Sequence, residues 1–155
     1  MSRAAVRSAR DGYTGGLFER DVVGKCRYAG TMQYVPFRQA MEEVKKLQPW
    51  DPSDPELPTA NDLHASIATE LRLDDWSELK LFTAVGSPLD QFHSIDAFVE
   101  FRGKVVTIDL TVSRFKGEYR ADITVDPDDI FVGMSGTAKK IAEILFHKRF
   151  GEIEW

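Results

Sequence analysis

The stretch VVTIDLTV, residues 105–112, is apolar or β-branched on both faces. Successive side chains of a strand point to opposite sides. Val106, Ile108, Leu110 and Val112 therefore share one face, and Val105, Thr107, Asp109 and Thr111 share the other. A strand of this kind has to be covered on both sides, so it belongs in the interior of a sheet with further layers above and below. That requirement leaves few architectures open. It also makes Asp109 conspicuous, as a carboxylate near the end of a strand that is otherwise suited to burial.

The neighbouring runs build the sheet around it. IDAFVEF (95–101) and KVVTIDLTV (104–112) are joined by Arg102-Gly103, a tight turn that predicts an antiparallel hairpin. LKLFTAV (79–85) precedes the hairpin, and YRADITV (119–125), followed by the turn-like DPDD, comes after it. Three helices frame these strands. Phe37, Ala40, Met41, Val44 and Leu47 fall on one helical face, and Pro36 suits the first turn. A second helix, capped by Thr59 or Asn61, carries the stripe Leu63, Ile67 and Leu71, with Glu70 at its edge. The last starts near Ser135 or Thr137, turning Ala138, Ile141, Ala142 and Leu145 inward and Lys139, Lys140 and His147 outward. The order predicts an α/β (α+β) fold, a mixed sheet of about four strands with a core antiparallel hairpin and helices on its faces.

With 155 residues the chain suits one domain with a real core. Residues 1–35 show no sustained period and read as a flexible basic arm, and residues 36–155 read as the folded domain. The arm is a solvated tail or a contact for phosphate, a protein partner or a second copy. Within the domain, Pro49, Pro52, Pro55 and Pro58 make residues 49–58 an extended connector that is neither helix nor central strand, with Trp50 and Leu57 able to pin it to the core. The net charge of −5 argues against non-specific coating of nucleic acid. No apolar run is long enough to cross a membrane, and the first residues lack the apolar core of a signal peptide. Cys26 is the sole cysteine, so neither an internal disulfide nor a cysteine-based zinc site can form, and a reducing, cytoplasmic setting is expected.

The chemistry gathers on the hairpin. With the turn at Arg102-Gly103, Asp96 on its first strand comes level with Asp109 on its second. Two carboxylates at one end of a sheet suit a hard divalent cation. There is no glycine-rich phosphate loop, no nucleophile elbow and no histidine pair at metal-ligand spacing. GTAKK (136–140) lacks the first glycine of a P-loop.

The stretch SPLDQFHSIDAFVEFRGKVVTIDLTVSRFKGEYRADITV resembles the core of the PD-(D/E)XK nuclease superfamily. That core is a helix, a three-stranded meander, then a further strand and helix, and the likeness spans roughly residues 59–150. Asp96 matches the family's first acid, and Asp109 the second, borne on a hydrophobic strand. Glu70 matches the acid that many members contribute from the first core helix. The resemblance implies a metal-dependent nuclease that hydrolyses DNA with Mg2+ or Mn2+ on Asp96 and Asp109, Glu70 assisting as outer ligand or base. Thr111 stands where the family has lysine, which polarises the attacking water and offsets transition-state charge. Lys116 is the residue expected to stand in for it, and Lys80 the next. The alternative is a nuclease fold without catalysis, serving as a binding or structural component of a larger assembly. Asp109 would then be a strand-end carboxylate that caps a turn or pairs with Arg114. Glu100 is expected in solvent, His93 as a local hydrogen-bonding group and His64 as a half-buried packing residue.

Overall fold

A computed structural model describes residues 20–110, 121–125, 129 and 133–151. Helices α1 (Phe37–Lys45) and α2 (Pro58–Glu70) lead through a 3-10 turn (Trp76–Glu78) into strand β1 (Leu79–Thr83). A short helix α3 (Pro88–His93) precedes the hairpin strands β2 (Ala97–Phe101) and β3 (Lys104–Leu110). Strand β4 (Ile123–Val125) and helix α4 (Ser135–Gly151) follow. The sheet order is β1-β2-β3-β4; β2 runs antiparallel to both neighbours, and β4 pairs parallel to β3. The result is a four-stranded mixed sheet with helices on its faces, as the element pattern predicts.

β3 is covered on both sides. Val106, Ile108 and Leu110 join Ala97 and Val99 beneath α2 and α4, where Leu63, Ile67, Ile141 and Leu145 complete the larger core. The opposite face carries Phe82 and Phe98, stacked at 4.9 Å, against Ala40, Met41 and Val44 of α1 and Leu89 of α3. Beside that layer Lys45 of α1 pairs with Glu100, which is half-buried and ion-paired where solvent exposure is expected from sequence. Partial burial alone would lower the Lys45 pKa, but the Glu100 hydrogen bond and charge, helped by Glu42, hold it above its ordinary 10.5. A lysine raised in the folded state stabilises fully below its unfolded value and loses that contribution as pH rises through the folded one. The difference in urea midpoint between wild type and Glu100→Gln is therefore expected to stay constant in mildly alkaline buffer and to close above pH 10.5.

Other segments of the chain bond to the outer edge of β1 at Leu79, Leu81 and Thr83, and to Val85 just beyond it. His64 Nε2–H donates to the Leu79 carbonyl at 2.7 Å, so this histidine is fully buried and bonded where a half-buried packing role is expected. Leu81 N–H donates to the Pro52 carbonyl at 2.9 Å. The Gln48 side-chain amide takes both polar groups of Thr83, accepting its N–H at 2.8 Å and donating to its carbonyl at 2.9 Å. Cys26 N–H donates to the Val85 carbonyl at 3.1 Å. The proline connector thus does structural work at Pro52, and Trp50 and Leu57 pack against the larger core.

Three expectations shift. Val22, Val23, Cys26 and Val35 are buried, so the part of the expected 1–35 arm from Val22 onward is built into the domain. Helix α2 begins at Pro58 with Leu57 as N-cap and no side-chain cap, in place of Thr59 or Asn61. Proline at the first helical position has its φ preset and no N–H to satisfy, which removes the need for that cap. Helix α3 has no counterpart in the sequence reading, since six residues are too few to show a helical period. Its cap chemistry is nevertheless written in the chain. Ser87 Oγ accepts from Asp90 N–H at 3.5 Å, Pro88 opens the helix, and Asp90 Oδ2 accepts from Gly86 N–H at 3.0 Å.

Arg102 and Gly103 turn the hairpin with φ of 51° and 81°, the left-handed pair that a two-residue turn with the strands' own twist requires. A Cβ at Gly103 would meet nothing within 4 Å, whereas one at Gly24 (φ 74°) would lie 2.7 Å from the Trp50 ring. Gly103→Ala is expected to cost only the backbone term, about 1–2 kcal/mol. Gly24→Ala should cost distinctly more, and chemical denaturation of the two variants side by side checks the ranking.

Candidate functional site

The site forms where the hairpin strands open. The last rung of β2 with β3 is Ala97 opposite Ile108, and Asp96 and Asp109 stand one residue beyond it, on facing chains. They are 1% and 0% exposed. Asp96 N–H donates to the Ile108 carbonyl at 2.9 Å, and the Asp96 carbonyl accepts from Ala84 N–H at 2.8 Å. Asp96 Oδ2 accepts the Leu110 N–H at 2.7 Å, so a carboxylate oxygen takes the place of the next ladder carbonyl. A carboxylate out of water is tolerated where donors or opposite charge meet it, and the Leu110 amide meets Asp96 in this way.

β3 is held by a second carboxylate on its other side. Asp122 Oδ2 accepts from Thr107 N–H at 2.9 Å and from Thr107 Oγ1 at 3.2 Å, and Asp122 N–H donates back to Thr107 Oγ1 at 2.8 Å. Thr107 lies two residues before Asp109 on the same face of β3. Sequence reasoning missed Asp122, though a signal exists. In SIDAFV and in ADITV alike, an aspartate directly precedes a strand, and both of these aspartates clasp a β3 amide.

The other sequence-predicted residues distribute as follows. Glu70 ends α2, is exposed, and lines a concavity of about 770 Å³ with Arg72, Glu78, Arg102, Lys139 and Phe146 at the hairpin-turn end. Phe101, which borders the same concavity, is five residues along β2 from Asp96, roughly 17 Å at strand rise. Glu70 therefore does not converge with Asp96 and Asp109; the orientation of α2 sends its C-terminus to the opposite end of the sheet. Lys80 is exposed and stands opposite Glu100 in the β1–β2 ladder, and the Phe82–Phe98 stack lies between it and the two acids. Thr111 and Lys116, with Arg114, lie outside the described residues. His93 Nε2–H donates to the Val35 carbonyl at 2.8 Å, a long-range anchor in place of a local loop bond. Lys139, Lys140 and His147 lie on the exposed face of α4, as expected.

Among the described residues, no cluster of three or more His, Cys, Asp or Glu side chains is placed to hold a metal ion. What remains is the facing aspartate pair. Its oxygens are hard donors, and magnesium binds through one or two carboxylates while keeping waters and taking substrate phosphate. The donor chemistry thus fits Mg2+ or Mn2+. The Cys26 thiol is pushed up by burial, with a weaker opposing pull from the Tyr28 amide, and is unsuited to nucleophilic work.

No described helix is long and apolar enough to cross a membrane. Comparison with protein-family models, curated proteins and solved structures gives no match.

Proposed function

We propose that this chain is a metal-dependent nuclease of the PD-(D/E)XK type that hydrolyses DNA phosphodiester bonds at the Asp96–Asp109 end of its sheet. The observation that carries the reading is the facing pair itself, two buried aspartates from adjacent antiparallel strands, one step past their last rung. Their end of the sheet is also the carboxyl end of the parallel pair β3 and β4, where open α/β sheets characteristically bind ligands. The order α2, β1-β2-β3 meander, β4, α4 supports the restriction-endonuclease-like arrangement.

In this reading Asp96 and Asp109 hold Mg2+ or Mn2+, which when bound supplies a polarised water and charge neutralisation at the scissile phosphate. The Leu110 amide fixes one Asp96 oxygen and so orients the carboxylate. Lys116, seven residues beyond Asp109, supplies the positive charge that Thr111 lacks, and Thr111 contributes a hydroxyl for hydrogen bonding to water. Glu70 has no part at this end of the sheet. A second reading, a nuclease fold retained as a binding or structural component, is favoured by Thr111 and by the distance of Glu70.

Incubation of plasmid and oligonucleotide DNA with Mg2+ or Mn2+ separates the two. Cleavage that Lys116→Ala diminishes and Thr111→Lys raises supports the enzyme. Absence of cleavage with any divalent metal, together with no heat of metal binding by calorimetry, leaves the second reading.

A further inference from the structure

The protein has 25 acidic and 20 basic residues, yet residues 22–41 contain Lys25, Arg27 and Arg38 and no acid at all. The same segment carries Tyr28, Met32, Tyr34 and Phe37. It closes on α3, where the Tyr34 ring meets Phe92 edge-on at 5.9 Å and His93 at 5.5 Å, and Phe37 meets His93 at 5.6 Å. His93 is buried and bonded to the Val35 carbonyl, so the cluster is fixed in place from beneath. Its outer members stay in solvent: Tyr34 is 63% exposed, Met32 43%, Phe37 39% and Phe92 36%. Arg38, directly after Phe37, is exposed as well.

Exposed apolar side chains gathered in one cluster, unlike ones scattered singly, point to a contact, and the chemistry of the cluster selects the occupant. Aromatic faces beside Arg38, on a segment that carries no acid from residue 22 to 41 and with Asp90 of α3 taken up by the Gly86 amide, match what unpaired bases and their phosphates need, stacking for the one and neutralisation for the other. The position agrees. His93 precedes Asp96 by three residues, which limits the separation of their Cα atoms to about 11 Å. We infer that Tyr34, Phe37 and Phe92, with Arg38, form a stacking platform for single-stranded polynucleotide beside the aspartate pair. The substrate class is then a single strand or an unpaired end. Delivery to the aspartates rests on the nuclease reading; strand binding does not.

Fluorescence anisotropy in EDTA, where no cutting occurs, tests the platform with a labelled oligothymidylate and a duplex of equal length. The single strand is expected to bind at least about tenfold tighter than the duplex, and Tyr34→Ala and Phe92→Ala should each weaken it by about fivefold or more. Tyr34→Phe keeps the ring and should bind as wild type. Phe146→Ala removes an exposed aromatic at the opposite end and should change nothing. Arg38→Gln should weaken binding and flatten its salt dependence. Oligouridylate in a parallel arm names the preferred sugar, and preferential binding of either strand supports the platform. Equal or tighter duplex binding overturns it, as does an equal loss in Phe146→Ala. A dimer seen by light scattering that Tyr34→Ala dissociates overturns it too, making the patch a self-interface. The two proposals fail separately. Single-strand binding without cleavage in Mg2+ sinks the nuclease reading alone, and cleavage of duplex together with unchanged single-strand binding by Tyr34→Ala sinks the platform alone.

Discussion

Asp109→Asn is expected to abolish magnesium-dependent cleavage while leaving the fold intact in EDTA. The substitution keeps the shape of a fully buried side chain and removes its charge. Even an outer-shell partner of a metal ligand is worth about ten- to a hundredfold in activity or affinity, so losing a ligand should exceed about a hundredfold. A second readout needs no turnover. A metal bound only by the folded state at a hundred times its dissociation constant stabilises by about 2.7 kcal/mol. Magnesium should therefore raise the melting temperature of wild type and leave that of Asp109→Asn where it is. If it shifts both alike, or neither, the aspartates do not hold the ion. On the nuclease reading Asp96 has a double part and should behave differently. Asp96→Ala also strips the Leu110 amide of its acceptor, which costs about 1–3 kcal/mol in EDTA as well. Asp96→Asn retains an oxygen for that amide and should recover much of the stability without recovering the cleavage.

The largest loss of stability is expected from Phe98→Ala, at about 3–5 kcal/mol. Phe98 is 0% exposed on a central strand, stacked on Phe82 and pressed against α1. Its removal leaves a void that strands held in register on both sides cannot close. Domains of this size are stable by about 5–15 kcal/mol, so the variant forfeits a large share. Urea denaturation should show a lower midpoint with an unchanged slope. Phe82→Ala empties the same layer, and the double variant should lose less than the two single losses added together, since the first removal already destroys the shared contact.

The sheet was legible wherever side chains carry period and turn. The alternation of residues 105–110 placed β3 in the interior, and Arg102-Gly103 set the hairpin register that brings Asp96 opposite Asp109. That local arithmetic sufficed for the aspartate pair. Glu70 illustrates where it ends. Its place depends on the direction in which α2 crosses the sheet, which no spacing within the helix encodes. Asp122 was missed for a related reason. A parallel partner strand is reached by a crossover and not by a tight turn that sets its register, so only the finished pairing puts its leading aspartate beside Thr107. His64, Gln48 and Pro52 look unremarkable in sequence because their work is done on backbone groups of another segment.

Those three residues, with Cys26, decide how copies of this molecule can associate. A strand whose outward carbonyls and amides are already engaged offers nothing for a neighbouring chain to pair with. From Leu79 to Val85 the β1 border is engaged by four separate stretches of the same chain. Assembly by joining two sheets through β1 into one continuous sheet is thereby obstructed, and so is edge-to-edge aggregation along that strand. Any oligomer has to be built from helix faces, from loops or from the β4 side.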